Sequence, residues 1–314
     1  MRAIEVARFG GPEVLVPVDV PDPVPGPGQV AVAVGAADTL WLETQVRAGR
    51  GGPFFPTEPP YRPGVGVAGT VTTVGSGVDP QWIGRRVVAR LGHTGGGYAT
   101  VALAPAAGLV PVPDAVDDPD AAAVLHDGVT ALALLDVVAL RPGERVLITA
   151  AAGGMGALLV QLARSAGATA IAAARGPAKL DRLRELGAHQ VVDYSGADWT
   201  AAVDPVDVVL DGAGGAYGDA AFSLVRHGGR FSGHGTPAGG FATPAPARGV
   251  TVTGIGAVQL TPERHRAYLS AALDAVAEKR ISPLIGQLYR LDEAPAAHRG
   301  IEDRTAVGKT LFLP

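Results

Sequence analysis

The sequence predicts an α/β protein in which a mostly antiparallel β domain is followed by a doubly wound parallel sheet. Three observations carry this expectation. Short β-like runs broken by Pro and Gly fill the first part of the chain, and Ala/Leu-rich helical segments alternate with β-branched runs from about Pro119 onward. A glycine-rich turn joins the first of those later strands to the helix after it.

The first part, to about Ala121, contains the runs RAIEVARF, QVAVAVGA, VAGTVTTVG, RRVVAR and YATVALA, whose alternation and bounding turns mark strands of a partly closed sheet. Between them, Gly49 to Gly64 (GRGGPFFPTEPPYRPG) is too rich in proline for helix and too long for a tight turn, so it reads as a functional loop. In the second part the strands are RVLITA, TAIAAA, QVVDY, VDVVLDGA, GRFSGHG and VTVTGIG. Helices at Gly156 to Ala166, Pro177 to Leu186 and Ala216 to Val225 have the length of crossover connections, and Pro262 to Lys279 forms a longer amphipathic helix. The last stretch reads strand, helix, strand.

Composition limits the function. The chain has 314 residues, 47% hydrophobic and 18% charged, enough for two well-packed domains. A net charge of −4 with no Lys/Arg-rich run argues against nucleic acid or an anionic membrane as partner and leaves a small molecule. Cysteine is absent, which removes disulfides, thiolate nucleophiles and every cysteine metal site. No apolar run is long enough to span a bilayer and the N-terminus lacks a signal-like core, so cytoplasmic residence is expected.

Strand RVLITA runs into Ala150 to Gly156 (AAAGGMG), in which Ala151, Gly153 and Gly156 have the A-x-G-x-x-G spacing of a Rossmann dinucleotide turn. Small residues admit a diphosphate to the backbone, and unpaired N–H groups at the helix start attract its charge. The other reading is a tight strand–helix turn that binds nothing. At the end of the second strand, where an acid would hold the ribose of NAD, Ala172, Ala173 and Ala174 lead instead to Arg175, with Lys179 one turn later. Two cations there favour NADPH; alternatively they are solvated surface charges.

AAAGGMG, the Leu183 to Tyr194 segment, GGRFSGHG, PYRPGVGVAGTVTTVGSGV and the terminal GKTLFLP together resemble the medium-chain dehydrogenase/reductase superfamily, and within it the zinc-free quinone oxidoreductase, or zeta-crystallin-like, branch. The resemblance implies a GroES-like catalytic domain over residues 1–121, completed by residues 286–314, around a Rossmann domain at residues 122–285. It implies a cofactor site of Thr130, Ala152, Gly153, Gly154, Met155, Gly156, Arg175, Lys179, Tyr194, His234, Gly235, Thr236 and Arg304. It also implies a homodimer along the strand near Val250 to Ile255. Zinc-using relatives carry a His–Glu pair where this chain has Val65 and Gly66, so no metal is expected. The family's N-x-x-D-x-x-x-R stretch appears as Leu40 to Arg47, which keeps the charges as Glu43 and Arg47 but loses the amide at Leu40; Glu43 and Arg47 read as a structural ion pair.

The implied reaction is hydride transfer from NADPH to the β-carbon of an enone, or to a quinone. Tyr61, His126 and Thr130 are the catalytic candidates, and Leu40, Trp41, Phe54, Phe55 and Tyr61 the substrate-facing ones. Tyr61 and its neighbouring phenylalanines suit a flat substrate or, equally, a packing or oligomer contact. His126 supplies a proton donor at neutral pH or a structural contact. His93 and Tyr98 rank lower, and His189, His227, His265 and His298 read as ordinary positions. Three alternatives stay open: a tailoring enzyme acting on a polyketide-like or enoyl-thioester intermediate, a non-catalytic NADPH-binding protein of crystallin or sensor type, and a redox-neutral cyclisation or elimination shaped by the loop aromatics.

Overall fold

The ten-residue strand Gln29–Asp38 organises the first half of the computed structural model, because its alternating Val and Ala suit a pleated, half-buried surface. It pairs antiparallel with Gly66–Val74, Val101–Pro105 and the C-terminal strand Lys309–Phe312. Arg86–Arg90 and Val110–Pro111 extend this sheet at one side, and Ile285–Tyr289 lies parallel to Lys309–Phe312 at the other. A separate ribbon joins Arg2–Val6 to Leu15–Asp19. The core between them is built from Ile4, Val6, Val30, Val32, Val67, Val71, Val87, Tyr98 and Phe312. Tyr98 and Phe312 meet with ring centroids 4.4 Å apart.

Residues 1–92, 95–244 and 248–314 are described by the structure, with Phe54 represented by its backbone alone. They divide into two units. Met1–His126, His265–Ala277 and Ile285–Pro314 form the first, and Asp127–Arg264 with Glu278–Leu284 forms the second. Of the helix Pro262–Ala277, residues from His265 onward group with the first unit, whereas the boundaries expected from sequence put them in the second. Amphipathic spacing shows which face of a helix is buried, not which sheet buries it.

The second unit is a six-stranded parallel sheet of β1 (Arg145–Thr149), β2 (Thr169–Ala174), β3 (Gln190–Asp193), β4 (Val206–Asp211), β5 (Val225–Gly233) and β6 (Thr251–Gly254). Its spatial order, 3-2-1-4-5-6, is that of a dinucleotide-binding doubly wound sheet. Crossover helices α1 (Gly154–Ser165), α2 (Pro177–Glu185) and α3 (Gly215–Ser223) connect the strands. β1, β2 and β4 are almost wholly buried, which explains their continuous apolar runs. Strand order reverses between β1 and β4, and ligands of such sheets bind beyond the carboxyl ends at that point.

In the first unit, Gly69 lets two strands approach where Gln29–Asp38 shifts register between Val34 and Ala36. A Cβ there would lie 2.1 Å from the Ala33 carbonyl oxygen and 2.9 Å from the Gly35 nitrogen, both of them backbone atoms that cannot swing aside. Gly69→Ala is therefore expected to lower stability by about 1–3 kcal/mol, read as an earlier midpoint in denaturant. An unchanged midpoint would show that the strands part there without cost.

Candidate functional site

At the carboxyl end of the second unit's sheet, β1 turns into α1 through Ala150, Ala151, Ala152 and Gly153. Helix α1 has no side-chain cap at Gly153, so its first N–H groups are left for another acceptor. The two fingerprint glycines differ in what requires them. A Cβ on Gly156 would come within 2.6 Å of the Ala150 oxygen and 2.7 Å of the Ala151 Cα, so strand–helix packing alone demands glycine. A Cβ on Gly153 would meet only the Ala150 oxygen, at an ordinary 3.5 Å. The protein does not need that glycine for itself. Gly154 and Met155 occupy the first turn, half-buried.

Beyond β2, Arg175 lies across the Tyr217 ring, with its guanidinium carbon 5.1 Å from the centroid, and donates to the Tyr217 hydroxyl at 2.8 Å. Tyr217 in turn stacks on buried Tyr194 at 4.7 Å. Arg175 is thus a braced cation, and Lys179 is half-buried one turn along. The backbone N–H of Gly176 reaches the Asp193 carboxylate at 3.3 Å, which ties the turn after Arg175 to β3. The N–H groups of His234 and Gly235 both donate to the Asp211 carbonyl, at 2.9 and 3.1 Å, fixing the His234–Thr236 segment beside the end of β4. Burial lowers the His234 imidazole to about 4, so it is neutral near pH 7. Thr130 lies on the helix Asp118–Val137, four residues after His126, and Arg304 follows helix Ala294–Glu302 in the first unit with a left-handed φ of 57°.

The first unit contains a cavity of about 260 Å³. Leu40, Leu42, Val46, Phe55 and Val65 give it an apolar wall, while Glu43, Tyr61, Arg62, Arg90 and His126 are its ionisable lining residues. Four residues expected at the site from sequence therefore come together here: Leu40, Phe55, Tyr61 and His126. Trp41 does not line the cavity, and the Phe54 side chain and His93 lie outside the described residues. The Tyr61 hydroxyl is buried with no hydrogen-bond partner among the described residues, and burial together with the Glu43 charge pushes it up to about 12. It therefore stays protonated and able to donate.

Other residues around this cavity carry no local signal in the sequence. Glu43 does not pair with Arg47: the Arg47 guanidinium pairs with Glu302. The Glu43 carboxyl instead accepts from the Gly64 N–H at 2.7 Å, the Leu40 N–H at 2.9 Å and the Tyr98 hydroxyl at 3.1 Å. Helical spacing places Arg47 beside Glu43, but a salt bridge to a residue 255 positions away is invisible to local pattern. His298 is no ordinary position either; it is buried, lies 3.2 Å from the Tyr98 hydroxyl, and is pushed down to about 3 by burial and the Arg47 charge. Asp38, at the end of the strand Gln29–Asp38, is fully buried between Lys309 Nζ at 2.5 Å and His126 Nδ1 at 2.6 Å. Its one visible sign is a lone charge in the run QVAVAVGAAD.

Residues 26–114 match the family described as alcohol dehydrogenase GroES-like domain, and residues 186–311 the family described as zinc-binding dehydrogenase. Over its full length the chain is 32% identical to a 2-haloacrylate reductase of Burkholderia sp, covering 99% of that protein, and 32% identical to a quinone oxidoreductase of Sus scrofa, covering 98% of it. The chain belongs to the medium-chain dehydrogenase/reductase superfamily, in its zinc-free quinone oxidoreductase branch. Two solved structures aligned over the full length of both chains share its fold. Escherichia coli quinone oxidoreductase complexed with NADPH superposes with a TM-score of 0.90 at 27% identity, and an NAD-dependent alcohol dehydrogenase with 0.89 at 30%.

In this member of the superfamily, no group of three or more His, Cys, Asp or Glu among the described residues is placed to hold a metal ion. No described helix is long and apolar enough to cross a membrane. Glu43, on the cavity wall, carries a shifted carboxyl. Burial, helped by the Asp38 charge and opposed by the bonds from Leu40, Gly64 and Tyr98, raises its carboxyl from 4.5 to about 7. The folded chain thus keeps a proton that the unfolded chain releases, so this contribution is complete below about pH 4.5 and is lost as pH rises through 7, by about 3 kcal/mol in all. Buried His234 and His298 act oppositely, lowering stability as pH falls below 6.5. Comparing the pH dependence of thermal unfolding in wild type and Glu43→Gln isolates the carboxyl: the wild type should lose more stability than the variant between pH 5 and pH 8. Parallel profiles would mean that Glu43 ionises normally.

Proposed function

We propose that the chain is an NADPH-dependent reductase that delivers hydride to the β-carbon of an enone, or to a quinone, without a metal. The observation that carries this reading is Arg175, braced on Tyr217 where an acid would select NADH. Ala152, Gly153, Gly154, Met155 and Gly156 would hold the diphosphate, and Arg175, Lys179 and Tyr194 the 2′-phosphate. Thr130, His234, Gly235 and Thr236 would contact the nicotinamide side, and Arg304 would reach the cofactor. The fit rests on Gly153, whose missing side chain serves no contact within the protein. When bound, the cofactor supplies the hydride.

The chain's own residues supply orientation and protons. The apolar wall of the cavity suits a flat conjugated substrate. The Tyr61 hydroxyl, protonated and unpartnered among the described residues, is the donor for the substrate carbonyl oxygen as negative charge develops on it. His126, on the same cavity, returns a proton to carbon. Arg62 and Arg90 also line it, and this, with the relative named for 2-haloacrylate, favours a conjugated substrate that bears a carboxylate. We further propose a homodimer formed along the edge strand β6, where Val252 is 41% exposed.

Mixing the protein with NADPH and a panel of quinones, neutral enones and carboxylated enones should consume cofactor with at least one class. Absence of consumption across the panel would leave a binding protein without turnover. Arg175→Ala should weaken NADPH binding by about tenfold or more and leave NADH binding nearly unchanged. Equal losses for both would place Arg175 away from the 2′-phosphate. Gly153→Ala should preserve the melting temperature of the free protein while weakening either dinucleotide; a large loss of stability would contradict the stated role of that glycine.

A further inference from the structure

Asp38, Gly66 and Lys309 gather behind His126, which alone of the four lines the cavity. Asp38 is fully buried, with Oδ2 2.6 Å from His126 Nδ1 and Oδ1 2.5 Å from Lys309 Nζ. Gly66 is the position where zinc-using relatives carry an acid. A Cβ on Gly66 would lie 2.8 Å from His126 Cε1 and 3.3 Å from Nδ1, and 2.3 Å from Leu125 Cδ2, so a side chain there would displace the imidazole. The room left by the missing acid is the room the histidine ring uses.

We propose that Asp38 and Lys309 are positioning residues that hold His126 with Nδ1 protonated and Nε2 directed to the cavity, making His126 the catalytic proton donor of the reductive reaction. This rests on the reductase reading above. Ionised Asp38 can only accept, so the hydrogen in the Asp38–His126 bond sits on Nδ1. Burial pushes the Asp38 carboxyl up, but the Lys309 charge and the bonds from His126 and Lys309 outweigh it and keep the carboxyl below its ordinary range. With Nδ1 committed, Nε2 is the ring nitrogen left for substrate. The charged and titratable groups around the ring are Asp38, Lys309 behind it, Arg90, and His265, which burial and the charges of Arg90 and His126 lower to about 4. Glu43 lines the same cavity with its carboxyl raised to about 7; Asp38 is the carboxylate bonded to the ring, and it balances the imidazolium that must exist before proton transfer.

A bound reduced nicotinamide would supply hydride to the β-carbon and be left oxidised, with the π pair of the enone moving through the α-carbon to the carbonyl oxygen as an enolate. The enolate pair then takes the proton from His126 Nε2–H, forming the α C–H bond and leaving the N–H pair on Nε2. The ring is left neutral with Nδ1–H still bonded to Asp38, and water restores the proton.

Nitrogen-15 NMR of the purified chain tests the array without any cofactor, with the His126 signals assigned by their loss in His126→Gln. Neutral His126 should carry its proton on Nδ1, and the double variant Asp38→Asn with Lys309→Met, which leaves no buried charge alone, should lose that preference. A proton on Nε2 in the wild type overturns the proposal. The chemical role is read in heavy water, with an α-substituted enone that the wild type reduces. Wild type should place deuterium on one face of the α-carbon, and His126→Gln should scramble the face and lower kcat by about a hundredfold or more with KM little changed. Retention of both rate and facial selectivity in His126→Gln overturns the proposal while leaving the reductase reading intact. If wild type oxidises NADPH with quinones but reduces no enone, the reductase reading stands and the proton-donor assignment is overturned, and if it consumes NADPH with neither class both fail.

Discussion

A carboxylate taken fully out of water must be paired, and Asp38 shows how much of a fold that requirement can organise. Its two partners come from opposite ends of the first unit's sequence order: His126 closes the first continuous segment, and Lys309 opens the last strand. Asp38 itself ends the strand onto which Lys309–Phe312 pairs, with Leu311 opposite Asp38. The C-terminal strand therefore brings both its hydrogen bonds and its cation to the same point. Removing Lys309 would leave the buried Asp38 charge with its His126 bond but without its lysine cation, the kind of change that destabilises far more than loss of a surface pair does. The residue that ties the split unit together also faces, through His126, the cavity in which chemistry is proposed.

Backbone proximity is the second constraint, and it separates structural glycines from functional ones. Gly69, Gly156 and Gly66 are each required by atoms of the protein: a carbonyl, a strand and an imidazole. Gly153 is required by nothing in the chain. At the amino end of α1 that leaves open space, which the proposed function fills with the cofactor's diphosphate.

Much of the architecture was legible because it follows from periodicity and turn chemistry. The β-branched runs between Ala-rich helices became β1 to β6, and AAAGGMG stood between strand and helix as its spacing required. The destination of the helix Pro262–Ala277 was not legible, since amphipathic spacing carries no address. Among the candidate residues, Tyr61 and His126 of the first unit and Arg175 of the second stand out in the sequence by residue type and neighbouring motif. Asp38, Lys309, Glu302 and Tyr217 did not, because their importance lies in partners tens to hundreds of residues away. Glu43 and Arg47 misled for the converse reason: four residues apart on one helix, they look paired, yet a buried carboxyl surrounded by two N–H groups and a tyrosine needs no cation. His298 looked ordinary only because nothing near it in sequence predicts Tyr98.

Whether this chain moves hydride from NADPH to carbon is tested most directly by reacting the protein with an enone and NADPH carrying deuterium in the transferable position at C4, then locating the label in the product by NMR. One deuterium on the β-carbon and none on the α-carbon is the expected result. Label released to solvent, or retained on a cofactor that binds without conversion, would contradict it.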